Sequence, residues 1–460
     1  MDNVMQLAEA RAPHARDLRA NLVGELVLPG DEGWDAARAA WNLAVDQRPA
    51  AVAIPENVHD VIELVHWARE QGFRIAPQGT GHNASALGDL AGTVLLKTSK
   101  LRGVSVDPAA RTARAAAGTL WEEVSEAAAE FGLAALQGSS PDVGVVGYTL
   151  GGGLSFLARK HGIGSNNVSA IELVTADGEL RRVDRENDPD LFWALRGGGG
   201  AFGVVTAIEL ELFPIASVYA GHLWFPVERA EEVLRAWRDW TETVSVEITS
   251  VGRILQLPPL ELIPEPVRGR SWAVVQAVYA GESLEEAARL LEPMRALGPE
   301  IDTFDVMTMP ELSHLHMDPE QPVPGLGDGG MLDRLDDDAI DAFVGAVVGK
   351  PFISAEIRHL GGAVAEARPE HGALASFDAP YLTFAVGMLP VPELRAPLTQ
   401  AVHGFMDALA PWSAAHTYMN FAEGRRDPRS LWTETAYRRL KRVKAAVDPE
   451  NLIRSNHPLD

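Results

Sequence analysis

The 460-residue chain contains no cysteine. Disulfides, thiolate zinc sites, iron–sulfur clusters and cysteine nucleophiles are thereby excluded together. The absence also fits a reducing compartment. Positive charge is in deficit: Lys and Arg number 40 against 64 Asp and Glu, for a formal net charge of −24. Nucleic acid and anionic lipid would be repelled, so neither is expected as a main partner. No apolar stretch approaches the ~20 residues that span a bilayer. The segment from Met1 to Arg11 has no basic region followed by an apolar run, so no secretory leader is read there. A soluble, cytoplasmic protein with no membrane partner is expected. What is present is ordinary for a globular chain, with 46% apolar and 23% charged residues. The length predicts two or three lobes. Abundant Ala and Arg with little Lys hint at a GC-rich bacterial genome.

The first half alternates strand and helix signals. Val52 to Pro55 reads as a strand. Asn57 can cap a helix with Val58, Val61, Ile62, Val65 and Ala68 on one face, ended by Gly72. Phe73 to Pro77 reads as a strand entering a Gly-rich loop, and Thr112 to Ala117 as another strand. Thr119 to Glu122 has a capping-box pattern that opens a helix to Gly132, with Trp121, Val124, Ala128 and Phe131 on its apolar side. Asp177-Gly178 reads as a hairpin turn, and Val204 to Phe213 as a half-exposed strand. After Pro214 prolines accumulate and no comparably Gly-dense loop recurs. A strand-then-helix pattern returns over Thr417 to Phe421 and Trp432 to Val447.

Three Gly-rich segments carry the chemical signal: Gly79 to Asn83, Gly144 to Gly153, and Gly197 to Gly203. Glycine lets backbone amides approach an anion closely, so three such loops suit a long ligand with a pyrophosphate. Each alone could be a tight turn. Gly198, Gly200 and Gly203 satisfy G-x-G-x-x-G, but helix precedes the motif and strand follows it, which inverts the order a dinucleotide fingerprint requires. His314 and His316 stand near Asp318 without a third convincing ligand, so no metal site is expected. His82 differs from the other histidines because it lies inside a Gly-rich loop directly after a strand.

Taken together these segments resemble the FAD-linked oxidases of the vanillyl-alcohol oxidase / p-cresol methylhydroxylase (PCMH) superfamily, in the berberine bridge enzyme-like branch that includes bacterial 6-hydroxynicotine oxidases. Ile75 to Asn83 resembles the loop whose histidine bonds the flavin methyl group. Ser140 to Tyr148, with Gly151 to Gly153, resembles the second flavin loop, and Gly198 to Val205 the segment beside the adenine half. Tyr418-Met419-Asn420 resembles the Y-x-N on the flavin ring, and Arg439 to His457 the closing helix and tail. Two positions depart from the pattern. Ser140 stands where bicovalent members carry cysteine, so a single covalent bond is implied. Gly79-Thr80-Gly81 replaces the glycine pair before the histidine.

The resemblance implies an α+β, two-domain PCMH-type FAD-binding fold with an antiparallel-sheet substrate domain. The FAD domain would be residues 1–212 completed by 412–460, and the substrate domain 213–411. FAD would be held covalently by one bond through His82. Further cofactor contacts would come from Gln78, Gly79, Thr80, Gly81 and Asn83; from Asp142, Val143, Gly147, Tyr148, Gly152 and Gly153; and from Val204, Val205, Tyr418 and Asn420. Tyr418 would hydrogen-bond or deprotonate the substrate, Tyr148 would meet the ring edge, and Glu356, sharing a strand face with Arg358, would supply a base or specificity group. The expected activity is oxidation of a small alcohol or amine, with dioxygen as acceptor and hydrogen peroxide as product. Val143 is the kind of residue that accompanies oxidase behaviour in this family, where isoleucine blocks it. A flavin-dependent oxygenase or redox-neutral cyclase is the first rival, and a non-catalytic flavin carrier the second. Substrate identity and oligomeric state stay open.

Overall fold

The computed structural model describes residues 18–459. The segment 1–17, read above for a leader and counted in the expected first domain, lies outside them. Seventeen strands form three sheets among the described residues. The first contains β1 (Glu25–Val27), β2 (Ala51–Ile54), β3 (Arg74–Gln78) and β4 (Thr93–Lys97) in the order β1-β2-β4-β3, with β4 parallel to both β2 and β3. The second is antiparallel, built from β5 (Val104–Asp107), β6 (Thr112–Ala116), β7 (Val168–Val174), β8 (Leu180–Asp184) and β9 (Val204–Glu211) in the order β5-β6-β9-β7-β8. The third, also antiparallel, holds β10 (Ser217–Pro226), β11 (Ile248–Gln256), β12 (Ser271–Tyr279), β13 (Ile301–Asp302), β14 (Asp305–Thr308), β15 (Gly325–Leu332), β16 (Ser354–His359) and β17 (Tyr381–Met388). Its path is β13-β10-β12-β11-β16-β17-β15, with β14 on β10. The whole is a two-domain α+β fold of the PCMH type.

Local chemistry explains the first crossover. The Asn57 side chain accepts from the Asp60 amide, and Gly72, at φ 69°, closes the helix Val58–Gln71 in the left-handed conformation. The buried Asp60 carboxylate accepts the amides of Val23, Gly24 and Glu56, which ties the incoming chain to the helix start. Val61, Leu64, Val65 and Ala68 bury into a core that also takes Ile75, Trp121 and Phe202, together with Trp432, Leu440 and Ile453 from the end of the chain. In the third sheet alternate residues divide two faces. Phe225, Ala273, Val275 and Ile357 pack on helices Ala230–Thr241, Leu284–Arg295, Asp337–Val347 and Arg395–Leu409. The opposite face meets the segments on either side of the second glycine loop, where Val218, Ala220 and Val278 pack on Leu136, Phe156 and Leu157. Among the described residues no helix is long and apolar enough to cross a membrane.

Several local expectations are corrected. The helix expected from Thr119 runs Trp121–Ala129 with Leu120 at its cap, and Glu123, not Glu122, accepts the Leu120 amide. The Thr119 hydroxyl instead donates to the Gly103 carbonyl, because this stretch is held in the sheet connection before it can turn. Phe131 lies past the helix end and is 49% exposed. β9 is not half-exposed: it lies between β6 and β7, and Thr206 is buried within it. Thr417 to Phe421 makes no strand; Tyr418 is extended and Met419–Phe421 form a 3-10 turn.

The chain's end is fastened by one carboxylate. Asp448, buried, accepts the amides of Leu452 and Ile453 at 2.8 Å each and Lys444 Nζ at 2.5 Å. The tail it shapes runs beside β3: Ile75 donates to the Leu452 carbonyl and Arg454 donates back to the Ile75 carbonyl, each at 2.8 Å. Asn456 then donates to the Asn83 side chain at 2.8 Å. Asp448→Ala is expected to cost about 3–5 kcal/mol, as for a buried pair that loses one partner. Denaturant unfolding measures it, and a loss under about 1 kcal/mol would contradict this account of the tail.

Candidate active site

The first glycine loop leaves the end of β3. Gln78 is buried with neither amide atom partnered, and a Cβ placed on Gly79 would meet nothing within 4 Å. His82 is stacked on Trp41, with ring centroids 4.0 Å apart and planes 19° apart. Its Nδ1 lies 2.7 Å from Thr80 Oγ1, and its Nε2 lies 3.5 Å from Asp142 Oδ1. That separation is too long for a good hydrogen bond, and Nε2 is sealed without a partner. Asp142 also accepts the Ser140 hydroxyl at 2.8 Å and the Trp41 indole N–H. Burial works to raise the Asp142 pKa, but His82, Ser140 and Trp41 together hold it below the usual carboxylate range.

The second loop turns at Gly144 into the helix Val145–Leu150. Tyr148 donates its hydroxyl proton to the Leu136 carbonyl at 3.2 Å, and its ring is gripped so closely that a Cβ on Gly138 or Gly153 would stand 2.8 or 2.7 Å from it. Burial pushes its phenol well above the ordinary value. Tyr148 therefore offers its ring and its carbonyl here, and its hydroxyl is already committed. Gly152 and Gly153 take φ values of 122° and 85°, which L side chains rarely adopt, so the chain passes close under Tyr418 and Leu374.

The third element is Tyr418 to Asn420. The Tyr418 oxygen accepts the Gly153 amide at 3.0 Å and the Asn420 side-chain N–H at 2.8 Å, and Asn420 also donates to the Tyr148 carbonyl at 2.9 Å. Asn83 from the first loop donates to the Ala422 carbonyl at 3.0 Å. Segments 78–83, 142–153 and 418–422 thus converge on one locus. Val204 and Val205 are core residues of β9 that share a core with Val145, Val146 and Leu150 of the second loop, and the Gly199 amide of the third loop donates to Leu150. Glu356 lies in the roof: its carboxylate accepts Arg358 Nε at 2.7 Å and His316 Nε2 at 2.8 Å. Burial opposes ionisation, but Arg358, His316 and Arg253 outweigh it and hold Glu356 far below the carboxylate range. A base needs a free lone pair near neutral pKa, so this carboxylate is an ion-pair anchor.

Sequence reasoning missed Trp41, which carries no motif, and Glu423. Glu423 accepts the Ser85 hydroxyl at 2.7 Å; burial, with Asp328 adding repulsion, pushes its pKa up to about 7. His316 belongs to the roof, and His314 pairs outside with Glu320. Among the described residues no group of three potential ligands could hold a metal ion. The unpartnered Gln78 amide and His82 nitrogen, beside glycines with open backbone, fit a large ligand rich in acceptors and donors, and FAD is such a ligand.

Comparison with known proteins is consistent with this geometry. Residues 49–184 match the FAD binding domain family. The FAD-linked oxidoreductase YvdP of Bacillus subtilis is 30% identical over 313 residues, 67% of each chain. (R)-6-hydroxynicotine oxidase of Paenarthrobacter nicotinovorans is 35% identical over 208 residues, 45% of each chain, so the match spans less than half of that enzyme. The solved structure of BBE-like 1 from Physcomitrella patens shares the fold, with a TM-score of 0.84 over 97% of this chain and 99% of that one at 21% identity.

Proposed function

Because the chain belongs to the FAD-linked oxidoreductases, in the berberine bridge enzyme-like branch of the vanillyl-alcohol oxidase / PCMH superfamily, we propose that it is an oxidase of a small organic alcohol or amine and carries FAD on His82 by a single covalent bond. The observation that supports this is the convergence of His82, the second glycine loop and Tyr418-Asn420 on one locus. Bound FAD would supply the hydride acceptor for the substrate and the route of its electrons to dioxygen, with hydrogen peroxide as the product. The chain's residues prepare that chemistry. Gly79 and Gly147, both with open space at the Cβ position, would hold the cofactor through their backbone amides. Tyr418 accepts two hydrogen bonds, so its own proton is left to orient a substrate hydroxyl or amine. Trp41 and Thr80 fix the His82 ring plane.

Val143 would border the oxygen side of the site. Rapid mixing of the reduced protein with air is expected to reoxidise it faster than free flavin, with peroxide formed in step with product. Val143→Ile is expected to slow reoxidation about ten-fold, an access barrier of about 1.4 kcal/mol, without changing anaerobic reduction. Wild-type reoxidation no faster than free flavin would refute the oxidase assignment and favour a redox-neutral cyclase, whereas fast reoxidation without peroxide in step with product would favour an oxygenase.

A further inference from the structure

The roof of this site gathers two buried guanidiniums around one buried carboxylate. Arg253, His316, Glu356 and Arg358 are all buried, and Glu356 is the one carboxylate among them. It is 2.7 Å from Arg358 Nε and 3.8 Å from Arg253 Nε. Arg253 is otherwise committed to Gln276 Oε1, the His316 carbonyl and Ser354 Oγ. Asp318 forms no ion pair with either guanidinium and reaches Arg358 only through Ser139 Oγ, at 3.3 Å on each side. Glu356 is the one buried carboxylate in contact with this pair, and half-buried Asp318 acts on Arg253 from a distance, so Arg358 keeps room for a further anion.

Arg358 is the member that can receive one. Its Nε serves Glu356, and its Nη2 faces Ser139 Oγ and, at 3.4 Å, His316 Nε2. Among the described residues its Nη1 donates to no protein atom, and it is not among the sealed, unpartnered nitrogens. The guanidinium lies 4.8 Å from the Phe421 ring centroid. Phe421 in turn meets Tyr418 at 5.5 Å and Phe384 at 5.1 Å, and both phenylalanines are partly exposed. Phe384 pairs with Glu356 across β17 and β16, so it stands on the same sheet face as the ion cluster. A forked donor therefore adjoins an open aromatic wall, beside the tyrosine assigned above to the reacting face.

We propose that Arg358 receives a carboxylate of the substrate, and that the substrate is a small aromatic acid whose ring lies on Phe421 and Phe384. A guanidinium fork matches a carboxylate in geometry as well as charge. The inference rests on the site assignment above but requires no turnover. Calorimetric titration with benzoate and with benzamide, alike in shape and different in charge, tests it. Wild-type protein is expected to bind benzoate about ten-fold tighter or more, as a charge-assisted bond allows. Arg358→Gln should bring the ratio to about one, and Arg358→Lys should retain part of the preference as a point charge. Visible absorption reports flavin content separately: a flavin-free chain that still discriminates would overturn the oxidase proposal and leave this one standing. Equal wild-type affinities, no benzoate binding, or a preference that survives in Arg358→Gln would overturn it. If the glutamine variant fails to fold, the wild-type comparison alone decides.

Discussion

Acid precipitation of the wild-type protein is expected to carry its yellow colour into the pellet, and His82→Ala is expected to release all of it into the supernatant. The His82 ring has little freedom. It is stacked at 4.0 Å on Trp41, its Nδ1 meets Thr80 Oγ1, and its Nε2 faces Asp142. A neutral imidazole nitrogen is a competent nucleophile near neutral pH. No cysteine exists to make a second bond, so one peptide containing His82 should carry the whole chromophore. The substitution leaves the Trp41–Asp142–Ser140 bonds and the Gln78 amide in place. His82→Ala is therefore expected to keep FAD through gel filtration under native conditions and lose it only on denaturation. Wild-type flavin that partitions entirely into the acid supernatant would end the covalent assignment, and the chain would then be a member of the same superfamily with dissociable FAD.

Tyr418→Phe is expected to lower the anaerobic rate of substrate-driven flavin bleaching by about 10²-fold, the usual scale for a positioned proton donor. The phenol oxygen already accepts from Gly153 and Asn420, so phenylalanine removes an oriented donor and also unpairs two N–H groups. The second loss should cost about 1–3 kcal/mol in unfolding, so flavin occupancy and thermal stability must be measured beside the rate. Burial pushes the Tyr418 phenol above its ordinary value, with Gly153 and Asn420 only partly offsetting it. A phenol whose pKa is raised stays protonated as pH climbs to the ordinary tyrosine value of about 10. The wild-type rate should therefore carry no phenolate inflection up to that pH. A rate that rises through such an inflection, and flattens in Tyr418→Phe, would make the residue a base and this account wrong.

The legible parts of this molecule were those whose signals are local. Asn57 and Gly72 bracket their helix because a cap acts within three residues and a left-handed stop within one. Glu356 and Arg358 fall on one face because strand period is fixed at two, and their hydrogen bond follows. The order of helix, glycines and strand around Gly198 was enough to reject a dinucleotide fingerprint. The illegible parts depend on topology. Trp41 meets Asp142 across 101 residues, and Arg253 meets His316 across 63. No spacing rule brings them together, because the pairing of β11 with β16 and the course of the loop carrying His316 decide it. The ion pairing of Glu356 was legible only in part: Arg358 shares its strand, while His316 and Arg253 come from a loop and another strand. The capping box slipped by one residue because Thr119 is claimed by Gly103, a contact that sequence pattern cannot register.

The fastening of the tail has a consequence for the birth of the protein. Loop residue Asn83, next to His82, is held on one side by Asn456, and β3 is flanked by Leu452 to Arg454. Translation proceeds from the other end, so all three sheets can be complete on the ribosome while the His82 loop still lacks its clamp. Colour then becomes a report on completion: a polypeptide broken off before residue 452 should emerge folded in much of its length and pale, and a yellow band on a denaturing gel should mark only chains read through to the tail.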